Sequence, residues 1–304
     1  MASNLITTLG AMTLASPLIA ASGTVGSVWE WAEIADVRPF GAAVAKSVAP
    51  QEWEGRPAPR VAPVSTGMLN GIGIQNPGID RWISNMELKM PKIRVPVWGS
   101  AVAGDPEGFA MVAKGLTSVG VTAIEVNLSC PNLEDGHMFS FSPEASAAVV
   151  EAVTSSVDIP VGAKLSPNTP YITQVAAACA NGGADFVVLT NTAYGFGVDI
   201  ENRKPLLSGG VGGYSGPGLK PLSMRCVYEV ARSLPDLPIV GSGGVLTGTD
   251  VIEYAVAGAS AVEMGSVLMA EPNAGVRIER EVSSVLEYLG VSTLSEIVGS
   301  VSEW

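Results

Sequence analysis

Short apolar runs recur along the chain at intervals that suit strands alternating with helices. Eight stand out: PLIAAS (17–22), GAAVAKS (41–47), VPVWGSA (95–101), AIEVNLS (123–129), VGAKLS (161–166), FVVLTNT (186–192), PIVGSGG (238–244) and AVEMGSV (261–267). Several are almost continuously apolar, as strands are when helices cover one face and a packed interior the other. Between them, segments 106–119, 142–155, 170–181, 219–233 and 248–257 have helical spacing, with Pro and Gly at their ends. Eight such strands predict an α/β fold of the (β/α)8 TIM-barrel type rather than a doubly wound sheet. Residues 4–15 predict a small hairpin ahead of the first barrel strand.

Polar residues collect at the C-terminal ends of these runs. Lys46 and Ser47 close the second, Asn127 to Cys130 the fourth, Lys164 the fifth, and Asn191 with Thr192 the sixth. Gly243 and Gly244 close the seventh, and Gly265 and Ser266 lie within the eighth. In a barrel these positions converge on one rim, where loops assemble a site on a rigid frame. Two long connections add to the minimal barrel. Residues 48–75, with Arg60 and the start of MLNGIGIQNPG, predict a loop that shapes a pocket; 193–218 predicts an excursion of short strands.

Composition narrows this picture. The chain has 304 residues, within the range of one elaborated barrel, so a single domain over 1–304 is expected. A formal net charge of -12 argues against a nucleic-acid or anionic membrane surface. The first 20 residues contain neither Lys nor Arg, and Pro17 with several polar residues interrupts the apolar stretch, so neither a signal peptide nor a membrane span is read there. A cytoplasmic location is the expectation. Three cysteines and one histidine leave little material for a Cys/His metal cluster, and no metal site is predicted. The 35 glycines sit in short groups between apolar runs, where they make tight turns or admit a ligand close to the backbone.

GSGGV at 241–245 and MGS at 264–266 are the clearest anion signals. Small residues at two successive strand ends let backbone N–H groups approach a phosphate, a location where barrels commonly hold one. No GxGxxG motif opens a βαβ unit, which argues against a built-in dinucleotide domain. Cys130, in NLSCPN, sits where a thiolate can take a proton or attack an electrophile, although an unperturbed thiol is mostly protonated near neutrality. Packing is the alternative for it, and the expected role of Cys179 and Cys226 inside predicted helices. Lys46 and Lys164 can neutralise an electron-rich ligand or extend to solvent. Asn70, Asn127, Asn132 and Asn191 suit a planar, amide-bearing ligand or simply form turns. His137, in DGHMFSF, reads as an exposed loop residue.

Beyond these residue-level readings, the chain resembles class 1 dihydroorotate dehydrogenases, most closely the class 1B catalytic subunit, over almost its full length. The resemblance rests on AASGTVG (20–26), AKSVAPQEWEGRPAPR (45–60), MLNGIGIQNPG (68–78), VNLSCPN (126–132), AKLSPN (163–168), LTNT (189–192) and GGYSGPGLKPLSMRCVYEV (212–230), with GSGGV and MGS following in family order. It implies a barrel that binds FMN at its C-terminal rim and oxidises (S)-dihydroorotate to orotate in pyrimidine biosynthesis. Cys130 is then the base that takes the C5 proton while hydride passes from C6 to flavin N5. Lys46, Asn70, Gly71, Ile72, Gly73, Ile74, Asn127, Asn191 and Thr192 become the substrate neighbourhood. Ser22, Lys46, Ser47, Ser100, Asn127, Lys164, Thr190, Gly216, Gly243, Gly244, Gly265 and Ser266 become flavin contacts, the last four near the phosphate. A homodimer core is implied, joined by a separate subunit carrying FAD and a [2Fe-2S] cluster that passes electrons to NAD+, a heterotetramer in all. Three cysteines are too few to ligate that cluster on this chain.

Three positions depart from the family pattern. Ser100 stands where Asn is usual, Arg56 interrupts the GNPxPR pattern as GRPAPR, and Ala49 replaces a threonine. They leave open a flavin oxidoreductase acting on another dihydropyrimidine, and the electron acceptor separately leaves open a class 1A-like homodimer reducing fumarate. A barrel that binds a ligand without catalysis is the remaining class.

Overall fold

The computed structural model describes residues 5–128 and 138–302. Eight parallel strands close into a barrel: β1 (Leu18–Ala20), β2 (Ala42–Val44), β3 (Val97–Ala101), β4 (Ala123–Asn127), β5 (Val161–Leu165), β6 (Phe186–Leu189), β7 (Ile239–Ser242) and β8 (Ala261–Met264). Each pairs with its neighbour in sequence order, and β8 closes on β1 through Val262↔Leu18 and Met264↔Ala20. Around them lie α1 (Ile79–Met86), α2 (Pro106–Ser118), α3 (Pro143–Thr154), α4 (Ile172–Asn181), α5 (Lys220–Ser233), α6 (Gly248–Ala257) and α7 (Ala274–Leu289). All eight predicted strands and all five predicted helices are present.

Helix starts follow local chemistry. Pro106 and Pro143 occupy the first turn, where no N–H is required, and the preceding Asp105 and Ser142 side chains accept from Gly108 and Ala145 N–H at 2.7 and 3.2 Å. Two helices stand outside the sequence expectation. α1 is a two-turn element anchored by buried Ile79, Trp82 and Met86. In α7, five charged residues dilute an apolar stripe that nonetheless recurs at every fourth position through Ile278, Val282 and Leu286.

The core has two shells. One lies between strands and helices and includes Phe109, Leu116, Val149 and Tyr254. The other fills the barrel: Ile19, Ala42, Val44, Trp98, Ala123, Phe186, Val188, Val240 and Ala261, joined by Leu9 and Leu14. The last two come from the expected N-terminal hairpin, Thr7–Leu9 against Met12–Leu14, which packs onto this inner shell.

At the opposite rim the two long connections meet. Val61–Val64 and Gly67–Asn70 form a hairpin, and with Ala193–Gly195 and Gly212–Ser215 they build a four-stranded antiparallel sheet. The first connection is therefore more structured than the expected loop, because Ala62 and Leu69 share a small core with Leu207 of the second. The predicted excursion of short strands is present and includes a second hairpin, Val198–Asp199 against Lys204–Pro205.

The strands end earlier than the apolar runs suggest. β1, β2, β6, β7 and β8 stop at Ala20, Val44, Leu189, Ser242 and Met264, so the polar residues that follow belong to rim loops. Gly265 lies outside β8 and precedes the short helix Ser266–Ala270. The ladder stops because these residues turn over the barrel mouth instead of continuing beside a neighbouring strand.

Candidate active site at the barrel mouth

The rim loops enclose a cavity of about 450 Å³, within the range of small-molecule sites. Ser22, Lys46, Ser47, Asn70, Gly71, Ile72, Gly73, Ile74, Asn127, Lys164, Thr190, Asn191, Thr192, Gly216, Gly243, Gly244, Gly265 and Ser266 all line it. Residues from nine separate regions of sequence are thus brought to one place. Two expected residues are not among its lining. Ser100 is fully buried behind Ser47, and Cys130, with Asn132 and His137, lies outside the described residues.

A hydrogen-bonded chain crosses the floor of the mouth. Asn191 Nδ2 donates to Asn127 Oδ1 at 3.4 Å, Asn127 Nδ2 donates to Ser47 Oγ at 3.1 Å, and Ser47 Oγ lies 2.9 Å from Ser100 Oγ. Four strand ends are tied together, and the two amides acquire fixed orientations. Ser100 therefore reaches the cavity only through Ser47, because a hydroxyl is shorter than the amide usual at that position. Thr190 Oγ1 pairs with Ser223 Oγ at 2.7 Å. Asn168 buttresses the next turn: its Nδ2 donates to Thr192 O at 3.2 Å and its Oδ1 accepts from Tyr194 N at 2.8 Å.

The segment Gly71–Ile74 wraps against Arg56. Arg56 N donates to Ile72 O at 3.0 Å, and its Nη1 donates to Val211 O at 2.9 Å. Gly73 has φ 73°, and an added Cβ would stand 2.6 Å from Arg56 N, so only glycine fits. Buried Asn76 holds the far end by accepting from Ala49 N and Gly78 N. Arg56, one of the departures from the family pattern, is thus built into the mouth and lines the cavity.

The seventh and eighth strand ends form an anion cradle. Among the described residues, Gly243, Gly244, Val245 and Gly265 donate their backbone N–H groups to no protein acceptor. Gly244 has φ 71°, with Lys220 N and Gly216 O at 2.7 and 2.9 Å from where a Cβ would sit. Unpaired donors packed this tightly suit a phosphate. The loop behind them is fixed by Asp250, whose Oδ2 accepts from Leu246 N and Thr247 N at 2.8 Å each, while Lys220 Nζ bonds its Oδ1. Burial opposes ionisation of Asp250, but Lys220 and these donors outweigh it and lower its pKa. A lowered folded pKa contributes stability that is fully present above the unfolded value of about 3.9 and lost as pH falls through the folded one. Asp250→Asn is expected to cost about 1–3 kcal/mol at pH 7, with the difference from wild type shrinking below about pH 4, as read by urea unfolding across pH.

Residue-by-residue reading passed over two carboxylates. Glu125 in β4 and Glu263 in β8 are fully buried and flank Lys164, whose Nζ lies 2.6 Å from Glu263 Oε2 and 3.4 Å from Glu125 Oε1. Burial opposes the Lys164 charge, yet the two carboxyl groups outweigh it and raise its pKa. The signal was a single Glu inside each of two otherwise apolar strands. Cys179 and Cys226 lie buried in α4 and α5, where desolvation pushes their thiols up to about 12 and about 11, as suits packing residues. Among the described residues no helix is long and apolar enough to cross a membrane.

The comparisons with known proteins agree with this geometry. A family model described as dihydroorotate dehydrogenase matches residues 4–286. The catalytic subunit of dihydroorotate dehydrogenase B (NAD(+)) from Alkaliphilus metalliredigens is 38% identical over 303 residues, covering 98% of this chain and 99% of its own. That from Maridesulfovibrio salexigens is 40% identical over 291 residues, covering 95% of each. The crystal structure of DHODH from Eimeria tenella in complex with ferulenol superposes with a TM-score of 0.82 at 18% identity, covering 98% of this chain and 88% of that one, which shows a shared fold. The chain belongs to the class 1 dihydroorotate dehydrogenase family and closely matches its class 1B catalytic subunits.

Proposed function

We propose that this chain is the FMN-dependent catalytic subunit of a class 1B dihydroorotate dehydrogenase, a single barrel over 1–304 that oxidises (S)-dihydroorotate to orotate. The observation that carries the reading is the convergence, in one cavity, of the substrate- and flavin-matched residues from nine separate regions of the chain. The cavity suits FMN on physical grounds. Its cradle at Gly243, Gly244 and Gly265 offers unpaired N–H groups to a phosphate, and Lys164, Ser47, Asn127 and Thr190 offer donors and acceptors to a polar ring edge. Lys46 and Arg56 line the cavity as cations, while Lys164 is paired with buried carboxyl groups, so a chain of net charge -12 presents a locally positive site to an anionic cofactor and a carboxylate substrate.

Oxidation removes a proton and a hydride from adjacent carbons, so a base must face one side of the substrate and an electron acceptor the other. Bound FMN supplies the acceptor. Cys130 takes the C5 proton. Asn127 and Asn191, oriented by their chain to Ser47, read the ring amides together with Asn70, and Lys46 holds the carboxylate. A ring lacking these partners leaves buried polar groups unpaired, which is how such a site discriminates.

Electrons leave through a separate subunit bearing FAD and a [2Fe-2S] cluster, which reduces NAD+, on a homodimeric core in the cytoplasm. Reading this requires the native complex. Co-purification of a brown second subunit and dihydroorotate-dependent NAD+ reduction are expected, whereas turnover with fumarate by the chain alone overturns the class 1B assignment.

A further inference from the structure

Glu125, Lys164 and Glu263 come from β4, β5 and β8 and meet inside the barrel at the floor of the cavity, which Glu125 and Lys164 line. Glu125 and Glu263 are fully buried and Lys164 is 6% exposed. The Lys164 ammonium serves both carboxyl groups, at 2.6 Å from Glu263 Oε2 and at 3.4 and 3.5 Å from the two Glu125 oxygens. The two carboxyl groups thus converge on one ammonium from strands that are not neighbours in the barrel. Even so, among the described residues, neither Glu125 Oε1 nor Glu263 Oε1 accepts a hydrogen bond, the ammonium 3.4 Å from Glu125 Oε1 being an ion-pair contact. Two carboxylates and one ammonium would leave an uncompensated negative charge in a buried site, which is strongly unfavourable.

One proton held between the carboxyl groups removes both problems. It supplies the missing donor and makes the cluster neutral. The electrostatics point the same way. Burial and repulsion from Glu263 push the Glu125 pKa well up, while Glu263, despite its burial, is held down chiefly by the Lys164 ammonium bonded to it.

We propose that Glu125 and Glu263 share a single proton, and that the resulting neutral cluster positions Lys164 and sets how much of its charge reaches the flavin ring. The second half rests on the FMN reading above. Both glutamates are positioning residues, acting through Lys164. A particular non-additivity follows. Removing either carboxyl group leaves one carboxylate against one ammonium, still neutral. Removing both leaves a bare ammonium lining the cavity, which would stabilise the more negative reduced flavin bound there.

The shared proton is tested without cofactor, by infrared spectroscopy of FMN-free protein at neutral pH. The wild type should show a protonated carboxylic acid band that is lost in both Glu125→Gln and Glu263→Gln. A wild type without the band, or a band that persists in Glu263→Gln, overturns the shared proton. Flavin tuning is tested by the reduction potential of the FMN-loaded proteins. Each single variant should stay close to wild type, whereas Glu125→Gln/Glu263→Gln shifts it positive, with reduced FMN favoured over oxidised by about tenfold or more relative to wild type. An unshifted double variant overturns the tuning role, as does a large shift in either single variant, which decides the matter if the double variant does not fold. Wild-type protein that binds no FMN contradicts the cofactor reading and the tuning role together, while the infrared band still decides the shared proton.

Discussion

Replacing Cys130 with alanine should leave FMN bound and slow flavin reduction by dihydroorotate by about 10²-fold or more, the scale of a general base. The expectation follows from the chemistry. The C5 proton is weakly acidic, so its removal needs a positioned acceptor, and a free thiol with a pKa near 8.5 must be brought towards its anion to serve. Alanine removes that acceptor and leaves every residue of the phosphate cradle unchanged, so cofactor affinity is the internal control. Stopped-flow reduction measured from pH 6 to pH 10 separates the roles. The wild-type rate should rise with thiolate formation, and the residual rate of Cys130→Ala should lose that dependence. A variant that reduces its flavin at the wild-type rate removes Cys130 from the base role.

Lys164→Met should be the most damaging of these substitutions for the FMN-free protein. Glu125 and Glu263 would be left buried without their cation, and breaking a buried pair from one side costs about 3–5 kcal/mol. The sign of its pH dependence is distinctive. Without Lys164 both carboxyl groups have folded pKa values raised above the unfolded value of about 4.3, so the penalty is present at neutral pH and shrinks as pH falls towards 4.3. Asp250→Asn shares that direction but is smaller and confined to lower pH. Urea unfolding of FMN-free wild type and variant at pH 5 and pH 8 reads the difference. A penalty equal at both values contradicts the assigned charges.

Much of the architecture was legible in the sequence because each barrel strand is a run of apolar residues on both faces. Five helices were legible because Pro or a capping side chain marks where they start and apolar positions recur along one side. α7 escaped because its charges mask the stripe through Ile278, Val282 and Leu286. Strand ends were overshot where small or polar residues such as Ala21, Ala45, Thr190, Gly243 and Gly265 follow the last strand residue, since the turn over the rim is set by neighbouring loops.

Most candidate site residues could be named from their place at strand ends and from the family motifs. What escaped depends on closure. β4 and β8 are not neighbours in the barrel order, so nothing in AIEVN or AVEM indicates that Glu125 and Glu263 meet across the interior at one lysine. Ser100 is a related case. Its motif assigns it to the flavin, whereas its short side chain leaves it bonded to Ser47 behind the wall. Arg56 reads as an interruption of a motif, and only the fold shows its guanidinium bracing the loop Val211 beside Gly71–Ile74.

Anaerobic addition of (S)-dihydroorotate to the FMN-loaded chain tests the central claim most directly. The visible flavin band is predicted to bleach within one turnover, with one orotate formed per flavin. A flavin that stays oxidised with dihydroorotate, yet bleaches with another dihydropyrimidine, would contradict the account.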